Sequence, residues 1–232
     1  MIPVDTTAVE PTSRLTAAQA TMEGLQDQEA QALVESRPAW KSIAPRLAKA
    51  QREKCAYCED QLRERVTEVD HVRPKKPYWW LAYRRRNLLA ACRSCNNAKS
   101  NKWELAGGSA LVPRDEPWTT PESALFIDPT VDLPYSHITY LKLDGTWRVA
   151  ALTGRGRWTI NALELDRDSR IKELNQMADE LIEPELDRLE QAANNSNRPE
   201  FDESRRRLEA LANPEHRYSH FVRVVIERRL TG

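Results

Sequence analysis

The sequence predicts an α+β fold in which a small ββα core lies between helical regions. Residues 13–54 favour helix and are interrupted at Pro38. Residues 66–72 have the composition of a short strand, and a short helix is expected behind the second of two cysteine pairs. Farther along, the dipeptide Asp144-Gly145 joins two β-rich runs, which predicts a hairpin followed by a mostly helical region.

Turn-forming residues divide the chain into four parts. Residues 1–12 contain two prolines and little periodicity, so we expect a disordered tail. Helices are predicted over residues 13–54, and the ββα core is predicted over residues 55–105. Residues 106–232 begin with a Gly- and Pro-rich connector and are expected to hold the hairpin and the C-terminal helices.

The chain is neutral overall, but its charge is unevenly distributed. It has 35 Lys and Arg residues against 35 Asp and Glu residues. Residues 68–102 contain nine basic and two acidic residues, and such a local excess favours contact with a polyanion. No apolar run approaches the roughly 18 residues of a membrane span, and the first residues lack the layout of a signal peptide. A cytoplasmic protein without a membrane partner is therefore predicted.

All four cysteines lie in two Cys-x-x-Cys pairs, Cys55/Cys58 and Cys92/Cys95. In a reducing compartment such pairs are more often metal ligands than disulfides. Two pairs can present four thiolates to one tetrahedral Zn²⁺, and a site with four cysteines has no open position for catalysis. The spacing therefore predicts a structural zinc ion, with ordinary buried cysteines and redox-active pairs as the alternatives.

Asp70, His71 and Asn96 form a second candidate site. Asp70 offers a carboxylate oxygen, and Asn96, which follows Cys95 directly, offers an amide oxygen. Such hard oxygen ligands suit Mg²⁺ or Mn²⁺. His71 points to the opposite face of the predicted strand from Asp70, and its ordinary pKa lies near neutral pH. His71 is therefore a candidate general base for the activation of water.

Taken in order, Cys-x-x-Cys, Asp-His, Asn-Leu and Cys-x-x-Cys-Asn-x-x-Lys resemble the HNH endonuclease family, the zinc-stapled branch of the ββα-metal nucleases. The resemblance implies that Asp70 binds the catalytic divalent ion, that His71 activates water and that Asn96 completes the metal site. It also implies that Asn87 holds the loop after His71 in register by hydrogen bonding. The family most often has histidine at the position of Asn96, so this sequence is an HNN variant. The alternative is an inactive nuclease fold.

Residues 74–86 form a loop that combines basic and aromatic side chains. Its basic residues and two neighbours are expected to contact phosphates, which sets affinity rather than sequence preference. These candidate nucleic-acid contacts are Arg73, Lys75, Lys76, Arg84, Arg85, Arg86 and Lys99. The aromatic side chains of the loop could stack on unpaired bases, with core packing as the alternative. They are Tyr78, Trp79, Trp80 and Tyr83.

The flanking sequences are similar to the HNH subunit of Septu-type bacterial antiphage systems, including those attached to retrons. The similar segments are CAYCED, residues 70–75, residues 127–129, residues 144–146 and residues 158–167. This resemblance implies a partner, an ATPase subunit of the SMC/ABC-like class. The chain itself contains no P-loop sequence, so ATP use is expected in that partner.

Together these patterns predict a metal-dependent HNH endonuclease that hydrolyses phosphodiester bonds in antiphage defence, with DNA favoured over RNA as substrate. A non-catalytic zinc-ribbon subunit that binds nucleic acid or acts as a scaffold is the alternative. An HNH enzyme acting alone is disfavoured, because no separate DNA-reading module is recognisable. Apolar residues at helical spacing over 171–189 indicate core packing, and docking of the partner or of a second copy is the alternative.

Overall fold

The computed structural model describes residues 1–62, 67–107, 110–115 and 122–231. Its helices and strands, in chain order, are α1 Ser13–Glu23, α2 Asp27–Ser36, α3 Ala44–Ala50, β1 Thr67–His71, β2 Leu88–Cys92, α4 Arg93–Lys99, β3 Ile138–Leu143, β4 Thr146–Ala151, α5 Gly154–Leu163, α6 Asp168–Met177, α7 Glu183–Asn194, α8 Arg198–Ala212 and α9 Ser219–Thr231. The mixture of helices with two antiparallel hairpins confirms the predicted α+β class. Within the described ranges, none of these helices combines the length and the apolar character that crossing a membrane requires.

The first residues of the chain pack against the protein, which corrects the predicted disordered tail. Met1, Ile2 and Val4 are buried. The main-chain N–H of Ile2 donates to the carbonyl of Ala56 at 3.2 Å, and that of Val4 donates to the carbonyl of Pro129 at 2.7 Å. Burial of these apolar side chains, together with the hydrogen bonds, opposes the entropy cost of ordering the segment.

The N-terminal helices are interrupted between α2 and α3 by a turn that contacts β1. Thr12 caps α1, because its hydroxyl oxygen accepts the N–H of Leu15 at 3.1 Å. The predicted break at Pro38 is followed by one 3₁₀ turn, Ala39–Ile43, before α3 begins. This turn carries the buried side chain of Trp40 to the edge of β1.

The central hairpin contains the predicted strand of Asp70 and His71. β1 pairs with β2 in antiparallel register, with Thr67 opposite Cys92. Successive side chains of a strand point to opposite faces, so Asp70 and His71 face different elements. Val66, the first residue of the predicted strand, lies outside the described residues.

Helix α4 follows β2 directly and is shorter than predicted. The sequence favours helix over residues 94–103, but α4 ends at Lys99. Ser100 adopts a φ of +48°, which a right-handed helix does not accommodate. Because α4 packs against β1, it places the side chain of Asn96 beside that strand.

The second hairpin turns where the sequence predicts. Asp144 and Gly145 have φ of +48° and +78°, as a two-residue hairpin turn of type I′ requires. Gly154 to Gly156, which were expected to end the hairpin, form the first turn of α5 instead. Thr153 caps this helix, since its hydroxyl oxygen accepts the N–H of Gly156 at 3.1 Å.

The C-terminal helices build a core of their own against the second hairpin. The sequence predicts one long helix from Asp168 to about Ala193, and the structure has α6 and α7 joined there by a π-helical turn, Ala178–Ile182. Ile171 and Leu174 of α6 are buried together with Tyr140 of β3 and Trp147 of β4. Core packing therefore accounts for the apolar positions over 171–189 except Leu181, which is 45% exposed.

The larger core joins the N-terminal helices, the central hairpin and α5. The buried side chains of Trp79 and Tyr83 belong to it, and so do three of the four cysteines. Trp79 and Tyr83 thus pack inside the protein, the alternative to base stacking that their sequence left open.

Candidate metal centre and active-site cleft

The four cysteine sulfurs come together in one cluster. Their Sγ atoms all lie within 4.8 Å of one another, and those of Cys58 and Cys92 are 3.7 Å apart. Four thiolates around a tetrahedral ion with Zn–S bonds of about 2.3 Å have S–S separations of about 3.8 Å. The main-chain N–H of Cys92 also donates to Sγ of Cys55 at 3.4 Å. The donor set therefore fits one metal ion.

Two chain segments deliver these sulfurs. The first pair lies in the turn after α3, where Glu59 has a φ of +65° directly after Cys58. The second pair spans the end of β2 and the first turn of α4. A bound ion would therefore clamp this turn to the junction of β2 and α4.

Two arginines of the C-terminal region lie beside the cluster. Nη1 of Arg167 is 3.9 Å from Sγ of Cys95. Arg170 is only 2% exposed, and its guanidinium donates to the carbonyl of Leu165 and to the hydroxyl of Tyr140. Among the described residues no carboxylate pairs with Arg170. Because an uncompensated buried charge is costly, the negative charge of metal-bound thiolates would favour both arginines.

A cleft of about 840 Å³ opens between the N-terminal region, β1 and α4. Asp70 and His71 line it from β1, and Asn96 lines it from α4. Trp40 and Lys41, in the turn before α3, form the opposite side. The structure thus brings three of the four predicted catalytic residues to one cleft.

Asp70 is held by two partners beneath the cleft. Its Oδ2 accepts a hydrogen bond from the hydroxyl of Tyr57 and lies 3.0 Å from Nζ of Lys99. The same ammonium group donates to the carbonyl of His71 at 2.6 Å. Burial raises the pKa of Asp70, and the positive charge of Lys99 and the hydroxyl of Tyr57 offset part of that rise. Lys99 therefore fixes both the carboxylate and the strand that carries it.

His71 presents one defined tautomer. Its Nε2 lies 2.9 Å from the carbonyl oxygen of Ala82, and a carbonyl can only accept, so Nε2 carries the proton. Nδ1 is then the unprotonated nitrogen. Trp40 packs edge-on against the imidazole with ring centres 4.9 Å apart. Burial lowers the pKa of His71 to about 3, so the ring is neutral near neutral pH.

Asn87 is buried behind the cleft, where its side chain bridges the loop that follows β1. Its Oδ1 accepts the main-chain N–H of Arg73 at 2.8 Å, and its Nδ2 donates to the carbonyl of the same residue at 3.0 Å. A weaker contact from Nδ2 reaches the carbonyl of Leu81 at 3.4 Å. These bonds join the two ends of the loop, and such bonds are what the proposed positioning role requires.

Two of the predicted nucleic-acid contacts face inward, so their predictions are corrected. Arg73 is 13% exposed in its side chain and pairs with Glu122 at 2.6 Å and with Asp128 at 3.4 Å. Lys99 is completely buried beneath Asp70. Both positive charges are compensated inside the protein, which the local charge count could not reveal.

The other predicted contacts lie at two separate places on the surface. Lys75 lines the cleft, and Lys76 next to it is exposed. Arg84, Arg85 and Arg86 line a second pocket of about 320 Å³ beside α1. Of these five residues, only Lys75 lines the cleft of the candidate catalytic residues.

Four residues of this site were not assigned from the sequence. Glu68 lies two positions before Asp70, and the period of two in a strand could have placed both on one face. Tyr57 sits within the first Cys-x-x-Cys pair and carries no motif of its own. Trp40 and Lys41 reach the cleft from a distant segment, so local sequence gave no signal for them.

Residues 55–102 match the family model described as HNH endonuclease. The matched segment begins at the first cysteine of the cluster and extends beyond α4, so it contains the cysteine cluster, both strands of the central hairpin and the catalytic candidates. By this match, the segment is an HNH endonuclease domain, as the sequence motifs predicted.

Several Septu proteins are similar to a larger part of the chain. Septu protein PtuB of Bacillus thuringiensis is 31% identical over 120 residues, 51% of this chain and 38% of that protein. PtuB of Bacillus mycoides (strain KBAB4) is 32% identical over 104 residues, 38% of this chain and 34% of that protein. Septu protein PtuA of the same strain is 30% identical over 127 residues, 49% of this chain and 18% of that protein. The chain therefore spans less than two fifths of each of these relatives.

We expect purified protein to contain one zinc ion per chain at the cysteine cluster. A structural zinc site contributes about 10 kcal/mol or more to folding, so removal of the ion should unfold residues 55–102 before the C-terminal helices. Elemental analysis and near-UV circular dichroism during chelation measure both effects. Cys58→Ser should lose the metal, whereas Ser94→Ala, an exposed change between Cys92 and Cys95, should keep it. Unchanged spectra and melting without metal would contradict this assignment.

Proposed function

We propose that this protein is a metal-dependent HNH endonuclease that hydrolyses phosphodiester bonds of nucleic acid, DNA in preference to RNA, in bacterial antiphage defence. The HNH endonuclease match and the similarity to Septu proteins support a nuclease in such a system. The cleft supplies the residues that the proposed reaction needs.

The observation that carries the proposal is the state of His71 in this cleft. Its Nε2 donates to the carbonyl of Ala82, so Nδ1 is the nitrogen able to accept a proton. Asp70 and Asn96 line the same cleft and supply oxygen atoms for a hard cation. An unprotonated base beside such oxygen atoms is the combination required for metal-assisted hydrolysis.

In the proposed reaction, His71 removes a proton from the attacking water, and the water oxygen forms a bond to phosphorus as the bond to the leaving oxygen breaks. A divalent ion, Mg²⁺ or Mn²⁺, supplies charge neutralisation on the phosphodiester when it is bound. Asp70 and Asn96 would hold that ion. Asn87 holds the loop after β1 through hydrogen bonds to the main chain of Arg73. Lys99 contacts the carboxylate of Asp70 and the carbonyl of His71, and so keeps both residues in place.

The proposed second metal is a structural zinc ion at the four cysteines. Thiolate ligands favour zinc over Mg²⁺ or Mn²⁺, and a tetrahedron of four protein ligands leaves no position for substrate. The proposed compartment is the cytoplasm, where reducing conditions keep cysteines available as ligands.

The competing function is a non-catalytic zinc-ribbon subunit that binds nucleic acid or acts as a scaffold. It would use the same cysteine cluster and the same basic side chains. Binding or scaffolding does not require an oriented imidazole at His71 or a buried carboxylate at Asp70. Both features therefore favour catalysis.

His71→Ala should reduce cleavage by about 10²- to 10⁴-fold, because it removes the general base. The measurement uses plasmid, single-stranded DNA and tRNA with Mg²⁺ and with Mn²⁺. His137→Ala, a histidine outside the cleft, should cleave at the wild-type rate. Cleavage by His71→Ala as fast as by the wild type would reject the assigned base, and no cleavage by the wild type on any substrate would favour the binding subunit.

Lys75→Ala should weaken DNA binding and reduce its dependence on salt by about one counterion, because Lys75 lines the cleft. Binding is measured over a range of salt concentrations in the His71→Ala background, so that cleavage does not interfere. Arg84→Ala removes an arginine that already pairs with Glu23 outside the cleft, and it should change binding less. Equal losses in the two variants would show that the cleft is not the main contact for nucleic acid.

The proposed partner is an ATPase of the SMC/ABC-like class that controls when the nuclease acts. It is supported by the resemblance of the flanking segments to Septu systems. It is also supported by the similarity of the chain to a protein named PtuA and to proteins named PtuB. Co-expression of the tagged chain with such an ATPase should give one complex in size-exclusion chromatography, with cleavage that responds to ATP. Separate elution of the two proteins with ATP-independent cleavage would remove the partner from the proposal.

A further inference from the structure

Glu68 connects the two sides of the candidate catalytic metal site. It lies on β1 two residues before Asp70, so both carboxylates project from the same face of the strand. Both also line the cleft, together with Asn96. The side chain of Glu68 is 28% exposed, so it is partly shielded from water.

Both carboxylate oxygens of Glu68 accept hydrogen bonds from α4. Oε2 accepts from Nδ2 of Asn96 at 2.6 Å, and Oε1 accepts from Nε of Arg93 at 3.1 Å. The side chain of Arg93 is 69% exposed, whereas Asn96 is partly buried where α4 packs against β1. The hydrogen bond from Arg93 to Oε1 holds the carboxylate of Glu68 with Oε2 toward Asn96.

An ionised carboxylate can only accept hydrogen bonds. The amide of Asn96 must therefore turn its NH₂ group toward Glu68, which leaves Oδ1 at the other end of the amide. A hard cation binds the oxygen of an amide and not its NH₂ group. The orientation of this amide decides whether Asn96 can serve as a ligand.

We propose that Glu68 is a positioning residue that selects the orientation of the Asn96 amide in which Oδ1 is available to the catalytic divalent ion. This inference rests on the proposed function, in which Asn96 and Asp70 hold that ion. Tyr57 and Lys99 act in the same sense on Asp70, because both engage its Oδ2. Each ligand thus has partners that fix which atoms remain for the metal.

The same inference accounts for the departure from the usual histidine at position 96. A neutral imidazole binds a metal ion through its unprotonated ring nitrogen, whereas the asparagine amide has one end that binds a hard cation, the oxygen, and one end that does not, the NH₂ group. An asparagine at this position therefore needs a neighbour that accepts hydrogen bonds only. Glu68, whose two carboxylate oxygens accept from Arg93 and from Asn96, meets that requirement.

Replacement of Glu68 by Gln keeps the size of the side chain but allows it to donate as well as accept. The Asn96 amide then loses its preferred orientation, and we expect the affinity for Mn²⁺ to fall by about 10- to 100-fold. Affinity is measured by electron paramagnetic resonance of Mn²⁺ titrated into zinc-loaded protein, with no nucleic acid present. Glu35→Gln removes a carboxylate from the same cleft and serves as the matched control, with affinity expected to stay at the wild-type value.

A double-mutant cycle separates positioning from direct ligation. If Glu68 acts through Asn96, Glu68→Gln should add little to the loss already caused by Asn96→Ala. Additive losses would overturn the inference and make Glu68 an independent ligand. Unchanged Mn²⁺ affinity in Glu68→Gln, with a clear loss in Asn96→Ala, would overturn it as well.

A second variant keeps the test decisive if Glu68→Gln does not fold. Arg93→Gln, at an exposed position, leaves Glu68 in place but removes the donor to Oε1, and we expect a smaller loss of Mn²⁺ affinity, about 2- to 5-fold, in the same direction. No loss in this variant would contradict the proposal that Glu68 orients the amide of Asn96. Failure of the proposed function has a different signature, because then Asp70→Asn and Asn96→Ala would also leave Mn²⁺ affinity unchanged.

Discussion

The convergence of four cysteine sulfurs is the constraint on which the rest of the structure depends. It joins the turn after α3 to the junction of β2 and α4, and two arginines of the C-terminal region lie against it. Thiolates so close together repel one another unless a cation lies between them, and Arg170 is buried without a carboxylate partner among the described residues. Metal-bound thiolates and the two arginines would therefore each compensate the charge of the other.

Helix α4 transmits this constraint to the cleft. It starts at the second cysteine pair and ends at Lys99, whose ammonium group contacts both the carboxylate of Asp70 and the carbonyl of His71. Because α4 is short, the position of Cys95 at its start largely determines where Asn96 and Lys99 lie. A metal ion bound at the cysteines would thus position the candidate catalytic residues without contributing any ligand to their site.

The sequence was most informative where chemistry depends on local spacing. The two cysteine pairs, the strand of Asp70 and the turn at Asp144-Gly145 are local patterns, and the structure contains each of them. Partners distant in sequence left no such pattern. Lys99 has the composition of a surface cation, yet it is buried, because its partner Asp70 lies 29 residues earlier in the chain. Similarly, the N-terminal segment with two prolines is ordered because its apolar side chains pack into the larger core, which is formed by residues later in the chain.

Internal pairing of cations also changes where a polyanion is expected to bind. Arg73 and Lys99 are used inside the protein, and Arg84 pairs with Glu23 beside α1. The positive charge at the cleft then comes from Lys75, from Lys41 in the N-terminal turn and from Arg93, which pairs with Glu68. Since the same turn packs Trp40 against His71, the N-terminal region both supports the candidate base and borders the cleft. The candidate active site therefore extends beyond residues 55–102 to include the turn before α3.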